Sequence, residues 1–504
     1  MENGTDDRER EEKEQEREVI DFYQVGKNIF VMIYREGSRI FYRPIEPELS
    51  EKELEALSAV KDYVMKRLYF THRDLRERWT KLQQDVEEKV KEANDVLLLK
   101  LDSPSLSKIS YYVKRDYLGY ERIDVLMNDP FIEDISSSGP GIPIYVYHIK
   151  YGWLPTTVIF PSEESYTAFI RRLAYRAGQD LVFATPIVEG PLPPKNYRAH
   201  LVLDVISRSG SSFTIRRGAE VPLSIVRLII LRTLSPRMAA YIWLLISHMR
   251  TILIAGPMAS GKTTLLNAII MFIPPAKKIV SIEETNELRL DRENWVPLIV
   301  RPSTSPGISN ITLYELLKSS LRQRPDYIVV GEVRGEEAYT FFQAISLGHG
   351  GLGTIHAESF QQIIRRLESQ PLNIPRSMIP LVNTMIFMKS IYKEGGIVRK
   401  VSDVIDIVSY DPSTDSINAS SSFHYDLERD EWIEAEILPG LNKISELTGL
   451  SVSELKNELA RRERFLSTLA AKGIDLPDEV SRAIEEYSLN PERAIEMFEG
   501  VKEE

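Results

Sequence analysis

The stretch Gly256-Pro257-Met258-Ala259-Ser260-Gly261-Lys262-Thr263-Thr264 satisfies the spacing GxxxxGK[ST]. Before it, Thr251-Ile252-Leu253-Ile254-Ala255 has the short apolar form of a buried strand. After it, Leu265 to Phe272 has the composition of an opening helix, so the strand, loop and helix context of this motif is present. Gly256 and Gly261 permit a tight loop with its N–H groups turned inward, where phosphate oxygens are held by several donors and by a helix N-terminus. Lys262 supplies a point charge for β- and γ-phosphates, and Thr263 a hydroxyl for Mg²⁺.

Downstream, the apolar run Lys278-Ile279-Val280-Ser281-Ile282 ends in Glu283-Glu284-Thr285-Asn286-Glu287. In a parallel sheet the C-terminal strand ends form the ligand crevice, so these acids are expected beside the phosphates. They exceed what one Mg²⁺ needs, and one of them could polarise the attacking water as general base. A third strand, Tyr327-Ile328-Val329-Val330, leads into Gly331-Glu332-Val333-Arg334-Gly335, with Glu332 at the position that holds Mg²⁺ through water or orders the nucleophilic water. Asp326 precedes that strand, at its far end, and reads as structural. Gly348-His349-Gly350-Gly351-Leu352-Gly353-Thr354-Ile355-His356-Ala357 lets backbone approach a ligand closely, and His356 reads as a hydrogen-bonding sensor near the γ-phosphate ahead of a structural histidine or a metal ligand. With no Cys and seven His in the chain, a zinc site there would need carboxylate help.

Taken in order, the phosphate loop, Ile282-Glu283-Glu284-Thr285-Asn286-Glu287-Leu288, Val330-Gly331-Glu332-Val333-Arg334 and Gly353-Thr354-Ile355-His356-Ala357 resemble the Walker A, aspartate box, Walker B and histidine box of the secretion ATPase superfamily. Those are the ring-shaped motors of type II and type IV secretion, type IV pili and the archaellum. The resemblance implies that Glu287 is the catalytic glutamate and Glu332 the Walker B glutamate; Glu284 stands where the family commonly has Asp. It implies an α/β fold, a RecA-like P-loop motor domain preceded by an α+β domain and a helical N-terminal region. ATP and Mg²⁺ are the implied ligands, and the implied assembly is a homo-oligomer, a hexamer, docked on a membrane platform protein. The chain would then be cytoplasmic, peripheral at the inner face of the cell membrane. Arginines of the preceding domain would reach the nucleotide: Arg198, after the loop Gly190 to Pro194, and Arg217 or Arg216, after the strand Ser212-Phe213-Thr214-Ile215. Arg322 and Arg324, before Walker B, match a comparable arginine-rich approach in the family. Lack of Cys removes the four-cysteine zinc element of many bacterial type II members, and with the helical N-terminal extension this resembles the archaeal branch. The implied function is protein secretion or pilus-type filament assembly, with archaellum assembly and rotation as the alternative and DNA translocation third.

Composition bounds the rest. At 504 residues the chain exceeds one hydrophobic core, and about three folding units are expected. A net charge of −11 argues against a surface made for nucleic acid. The charged stretch Glu2 to Arg17 lacks the apolar core of a signal peptide, and Ile225 to Met249 is interrupted by Arg227, Arg232, Ser235, Pro236 and Arg237, so it reads as two buried helices around a turn. The expected organisation is a disordered tail over 1–18, a mainly helical domain over 19–99 with a short hairpin at Phe22 to Tyr34, an α+β domain contributing to the nucleotide site over 100–217, and a linker over 218–224. The motor domain is expected over 225–411, and a C-terminal hairpin and helical module over 412–504.

Overall fold

The structure, a computed structural model, describes residues 17–195, 197–217, 222–301, 310–393 and 396–499. Most of the expected tail and most of the expected linker therefore lie outside the described residues. The chain divides into two compact units, Met1–Glu220 and Val221–Glu504.

The first unit opens with an antiparallel sheet of β1 (Glu18–Gly26), β2 (Ile29–Glu36) and β3 (Arg39–Ile45). The expected hairpin is there, but a third strand, absent from the sequence reading, follows it before the helices. Arg39 and Arg43 flank Ile40, Phe41 and Tyr42, which leaves too short an apolar run to stand out, yet Tyr42 is fully buried. Four helices follow, α1 (Glu51–Met65), α2 (His72–Glu77), α3 (Trp79–Val96) and α4 (Ser103–Tyr117). Ser50 starts α1 through a reciprocal capping box with Glu53. Val60, Val64, Val86, Val90 and Val113 form the seam between the longer three.

After the short α5 (Asp124–Asn128) come β4 (Ile132–Ser137), β5 (Tyr145–His148), β6 (Gly152–Pro155), α6 (Glu163–Arg176), β7 (Ile187–Leu192), β8 (Tyr197–Val202) and β9 (Ser212–Arg216). The strands form one antiparallel sheet in the order β6-β5-β4-β9-β8-β7. Alternate residues Ile135, Ala199, Leu201, Phe213 and Ile215 share a core with Tyr166, Phe169, Ile170 and Leu173 of α6. Tyr23 and Tyr42 of the small sheet both donate to Asp129 Oδ2, at 2.7 and 2.6 Å. That buried carboxylate joins the two sheets.

The second unit begins with α7 (Ile225–Ile230) and α8 (Pro236–Ser247), the pair expected around a turn. Then follow β10 (Ile252–Ala255), α9 (Lys262–Ile270), β11 (Ile279–Glu283), β12 (Trp295–Ile299), α10 (Leu313–Ser320), β13 (Tyr327–Val330), α11 (Glu337–Ser346), β14 (Gly350–Ile355) and α12 (Phe360–Glu368). The antiparallel strands β15 (Thr384–Lys393), β16 (Gly396–Asp411), β17 (Ser416–Asp426) and β18 (Glu431–Glu434) precede α13 (Pro439–Thr448), α14 (Val452–Ala471), α15 (Pro477–Leu489) and α16 (Pro491–Glu499). All nine strands make one sheet, β12-β11-β13-β14-β10-β15-β16-β17-β18, parallel from β12 to β15 and antiparallel beyond. One strand, β14, separates the phosphate-loop strand β10 from the acid-bearing strand β13, as in RecA-like cores. Helices α10, α11 and α12 cover one face, and α8 and α9 the other.

The boundary expected at residue 411 falls inside this sheet, since β16 pairs with β17 from Asp403 to Asp411. The terminal helices share the same core: Trp243 of α8 stacks on Phe272, centroids 5.3 Å apart, and meets Tyr487 of α15 at 4.8 Å. Every residue from Met238 to Ile246 is buried, and a helix apolar all round needs a second layer over it. Helices α14 and α15 are that layer.

Candidate functional site

Parallel strands deliver their C-terminal ends to one edge, so the sheet order brings Ala255, Glu283, Val330 and Ile355 together. The phosphate loop leaves β10 there. A Cβ on Gly256 would stand 2.6 Å from both Met388 O and Ser260 Oγ, so only glycine fits. Ala259 (φ 56°) and Gly261 (φ 90°) are left-handed, which turns the loop back on itself before α9 starts at Lys262. Ser260 Oγ donates to Pro257 O at 2.8 Å and closes the turn from within. Met258 at the tip is 74% exposed, while Thr263 and Thr264 are half-buried in the first turn of α9.

Lys262 is buried, with Nζ 2.7 Å from Pro257 O and 3.3 Å from His356 Nδ1. On its other side, His356 Nε2 lies 3.3 Å from Glu332 Oε2. A lysine, a histidine and a carboxylate from three elements thus stand in line at the mouth of the loop. Burial and the Lys262 charge lower the His356 pKa, against the opposing pull of Glu332, which favours neutral imidazole. Arg366 of α12 donates to His356 O at 2.9 Å and fixes the segment from behind. His349, by contrast, sits at the opposite end of β14 with Nδ1 2.7 Å from Pro325 O. Asp326 is at that far end too, accepting from Lys277 Nζ at 2.8 Å and from Lys278 N at 2.9 Å.

In the aspartate box the buried acid is Glu283, which sequence reading passed over in favour of Glu287. Glu283 Oε1 accepts from the N–H groups of Glu287 and Leu288, both at 2.9 Å. Its Oε2 is buried without a partner among the described residues, and burial pushes its pKa up to about 7. The Glu287 side chain itself is exposed, and Glu284 is paired with Arg334. Glu283 was detectable: it is the last residue of an otherwise apolar buried strand, at the edge where ligands bind.

The arginines of the first unit divide. Arg217 is 7% exposed and donates to Ile132 O at 3.0 Å and Leu126 O at 3.3 Å, so its guanidinium serves the fold of its own unit. It shares side with Phe213 and Ile215, which face the core. Arg216 points the other way and is exposed, directly across from Arg198 of β8, whose Nε donates to Glu189 Oε1 at 2.8 Å.

Among the described residues, no group of three or more His, Asp or Glu forms a ready metal cage. The donor set near the loop, the hydroxyl of Thr263 with carboxylates Glu332 and Glu283, is all hard oxygen, and the unpartnered Glu283 Oε2 is an unused acceptor. Such donors suit Mg²⁺ carried in with phosphates rather than a resident ion. No helix among the described residues is long and apolar enough to cross a membrane.

Residues 202–386 match the family described as Type II/IV secretion system protein. The protein MJ0900 of Methanocaldococcus jannaschii is 34% identical over 385 residues, covering 75% of this chain and 69% of that one. MJ1287 of the same organism is 46% identical over 237 residues, 47% of this chain and 88% of the relative. The conjugal transfer protein TrbB of Rhizobium radiobacter is 30% identical over 301 residues, 59% of this chain and 90% of TrbB. With the phosphate loop, both acidic strand ends and His356 assembled at one sheet edge, the chain belongs to the type II/IV secretion system protein family, the secretion ATPases.

Proposed function

We propose that the chain hydrolyses ATP with Mg²⁺ as one subunit of a ring motor, a homo-hexamer, which powers protein secretion or pilus-type filament assembly from the cytoplasmic face of a membrane through a platform protein. The observation that carries this reading is the line Lys262, His356, Glu332 at the mouth of the loop, beside Glu283. Water attacks the γ-phosphorus, Glu287 accepts its proton, the bond to the β–γ bridging oxygen breaks, and ADP leaves with that electron pair. Lys262 and the inward N–H groups balance charge gathering on the phosphoryl oxygens. Neutral His356 has a single N–H, given to Glu332 when no γ-phosphate is present and to a γ-phosphate oxygen when it is, and so senses its loss. When bound, Mg²⁺ supplies further charge neutralisation, with Thr263 and Glu332 as the residues that would hold it.

The arginine contribution belongs to this proposal too, carried by Arg198 and Arg216, since Arg217 is committed to its own unit. Secretion or pilus-type work is preferred to an archaellum motor because the matching family is described as Type II/IV secretion system protein, and the Methanocaldococcus relatives support an archaeal branch. Phosphate release by the full chain tests the core of the reading. Turnover should require Mg²⁺ and fall at least about 100-fold in Lys262→Ala, while Glu287→Gln should still bind ATP and hydrolyse it about 100-fold or more slowly. Mg²⁺-independent turnover, or none from folded wild-type protein, would overturn it.

A further inference from the structure

The phosphate loop is not self-supporting. One wall of it is built by the β15–β16 hairpin, far downstream in sequence and absent from the motif that identifies the loop. Met388, at the bulge where the β15–β16 register shifts, presses its carbonyl and Cβ against Gly256 and its Cε toward Gly261. Across from Ser390 on β16 stands Arg399, whose Nε donates to Ala259 O at 2.9 Å. A Cβ on Gly261 would meet Arg399 Cδ at 3.3 Å, so the arginine stem covers one left-handed residue while its head holds the carbonyl of the other.

We infer that Arg399 is a positioning residue for nucleotide binding, clamping the outer side of the phosphate loop so that Ala259 keeps the left-handed turn that aims the loop N–H groups inward. The physical case is directional. Rotating the Ala259–Ser260 peptide outward would spoil the cradle, and a residue other than glycine is held in a left-handed conformation only when its surroundings over-determine it. Ser260 Oγ ties the loop from inside through Pro257 O, and Arg399 ties it from outside through Ala259 O. A charge-assisted hydrogen bond on a rigid strand suits that task better than a lysine would, because the guanidinium fork is fixed in plane.

Such a clamp acts on the backbone that receives every phosphate, and it makes a prediction that separates it from a direct phosphate contact. In Arg399→Ala, affinity for ADP and for a non-hydrolysable ATP analogue should fall by the same factor, about tenfold for the loss of one charged hydrogen bond. Single-turnover hydrolysis at saturating ATP should fall as well, since the same N–H groups serve the transition state, but far less than in Lys262→Ala. The inference rests on the phosphate-loop reading, and the two fail differently: wild-type protein that binds neither nucleotide sinks that reading, whereas wild-type binding unchanged in the variant sinks this one. Isothermal titration of the full chain gives both numbers, beside the melting temperature without nucleotide. Loss confined to the ATP analogue would also overturn the inference, by making Arg399 a reader of the γ-phosphate. Should Arg399→Ala lower the nucleotide-free melting temperature, Arg399→Lys, which keeps stem and charge without the Nε donor, decides by the same comparison.

Discussion

Glu283 sits in surroundings far from those of a free carboxylate. Two main-chain N–H groups hold one oxygen, the other has no partner among the described residues, and burial raises its pKa from 4.5 to about 7. Because the folded state binds this proton more tightly than the unfolded chain does, its contribution to stability is complete below pH 4.5 and is lost as pH rises to about 7. In nucleotide-free protein the slope between those limits should be roughly 1.4 kcal/mol per pH unit from this group. Glu283→Gln keeps an acceptor oxygen for Glu287 and Leu288 and cannot titrate, so urea denaturation at a series of pH values should show a flatter profile than wild type. Parallel profiles would assign the slope to other acids. At this scale the sequence was legible wherever a residue type is tied to a fixed spacing: Lys262, Glu332 and His356 are brought together at one mouth. It was not legible for Arg399, whose role depends on a strand that meets the loop only in space; Glu283 was detectable as the acid ending a buried strand, but the raised pKa that sets it apart from Glu287 comes from burial.

At the scale of elements, β9 shows how one step along a strand changes a role. Arg216 and Arg217 are adjacent and chemically alike, but the pleat sends Arg217 inward with Phe213 and Ile215 and leaves Arg216 outside. Arg217→Ala would leave the carbonyls of Leu126 and Ile132 without their donor, at a cost of about 3 kcal/mol. Hydrogen exchange should then quicken across β4, β8 and β9, while Arg216→Ala leaves those amides protected. Equal protection in both variants would mean that the guanidinium is not holding α5 to β4. The parity was readable in advance from Phe213 and Ile215. Strand β3 was less so, because Arg39, Arg43 and Pro44 dilute its apolar signal and its burial depends on α5 and the larger sheet rather than on its own composition.

Across the second unit, the terminal helices close the core rather than decorate it. Phe465, Leu466, Leu469, Ile484 and Tyr487 are buried in the cluster that holds Trp243 and Phe272, and each such side chain is worth about 1.5–3 kcal/mol. Together they approach the whole net stability of a domain, about 5–15 kcal/mol. A chain ended after Ala435 should therefore fail to give a folded nucleotide-binding unit, as judged by circular dichroism and limited proteolysis; a stable, ATP-binding product would restore the separate module that helical spacing suggested. Spacing reveals that α14 and α15 are amphipathic, but not which apolar surface they face.

The strand order also bears on how the chain comes to its native state. Strand β10 carries the phosphate loop, yet its neighbours are Leu352–Ile355 on one side and Thr384–Phe387 on the other, both far downstream. Pairings of such long sequence separation are slow to close, since the loop entropy must be met before they stabilise anything. On the ribosome the nucleotide pocket cannot exist until the β15–β16 hairpin has emerged, so ATP binding would report a late stage of synthesis of this unit rather than its first.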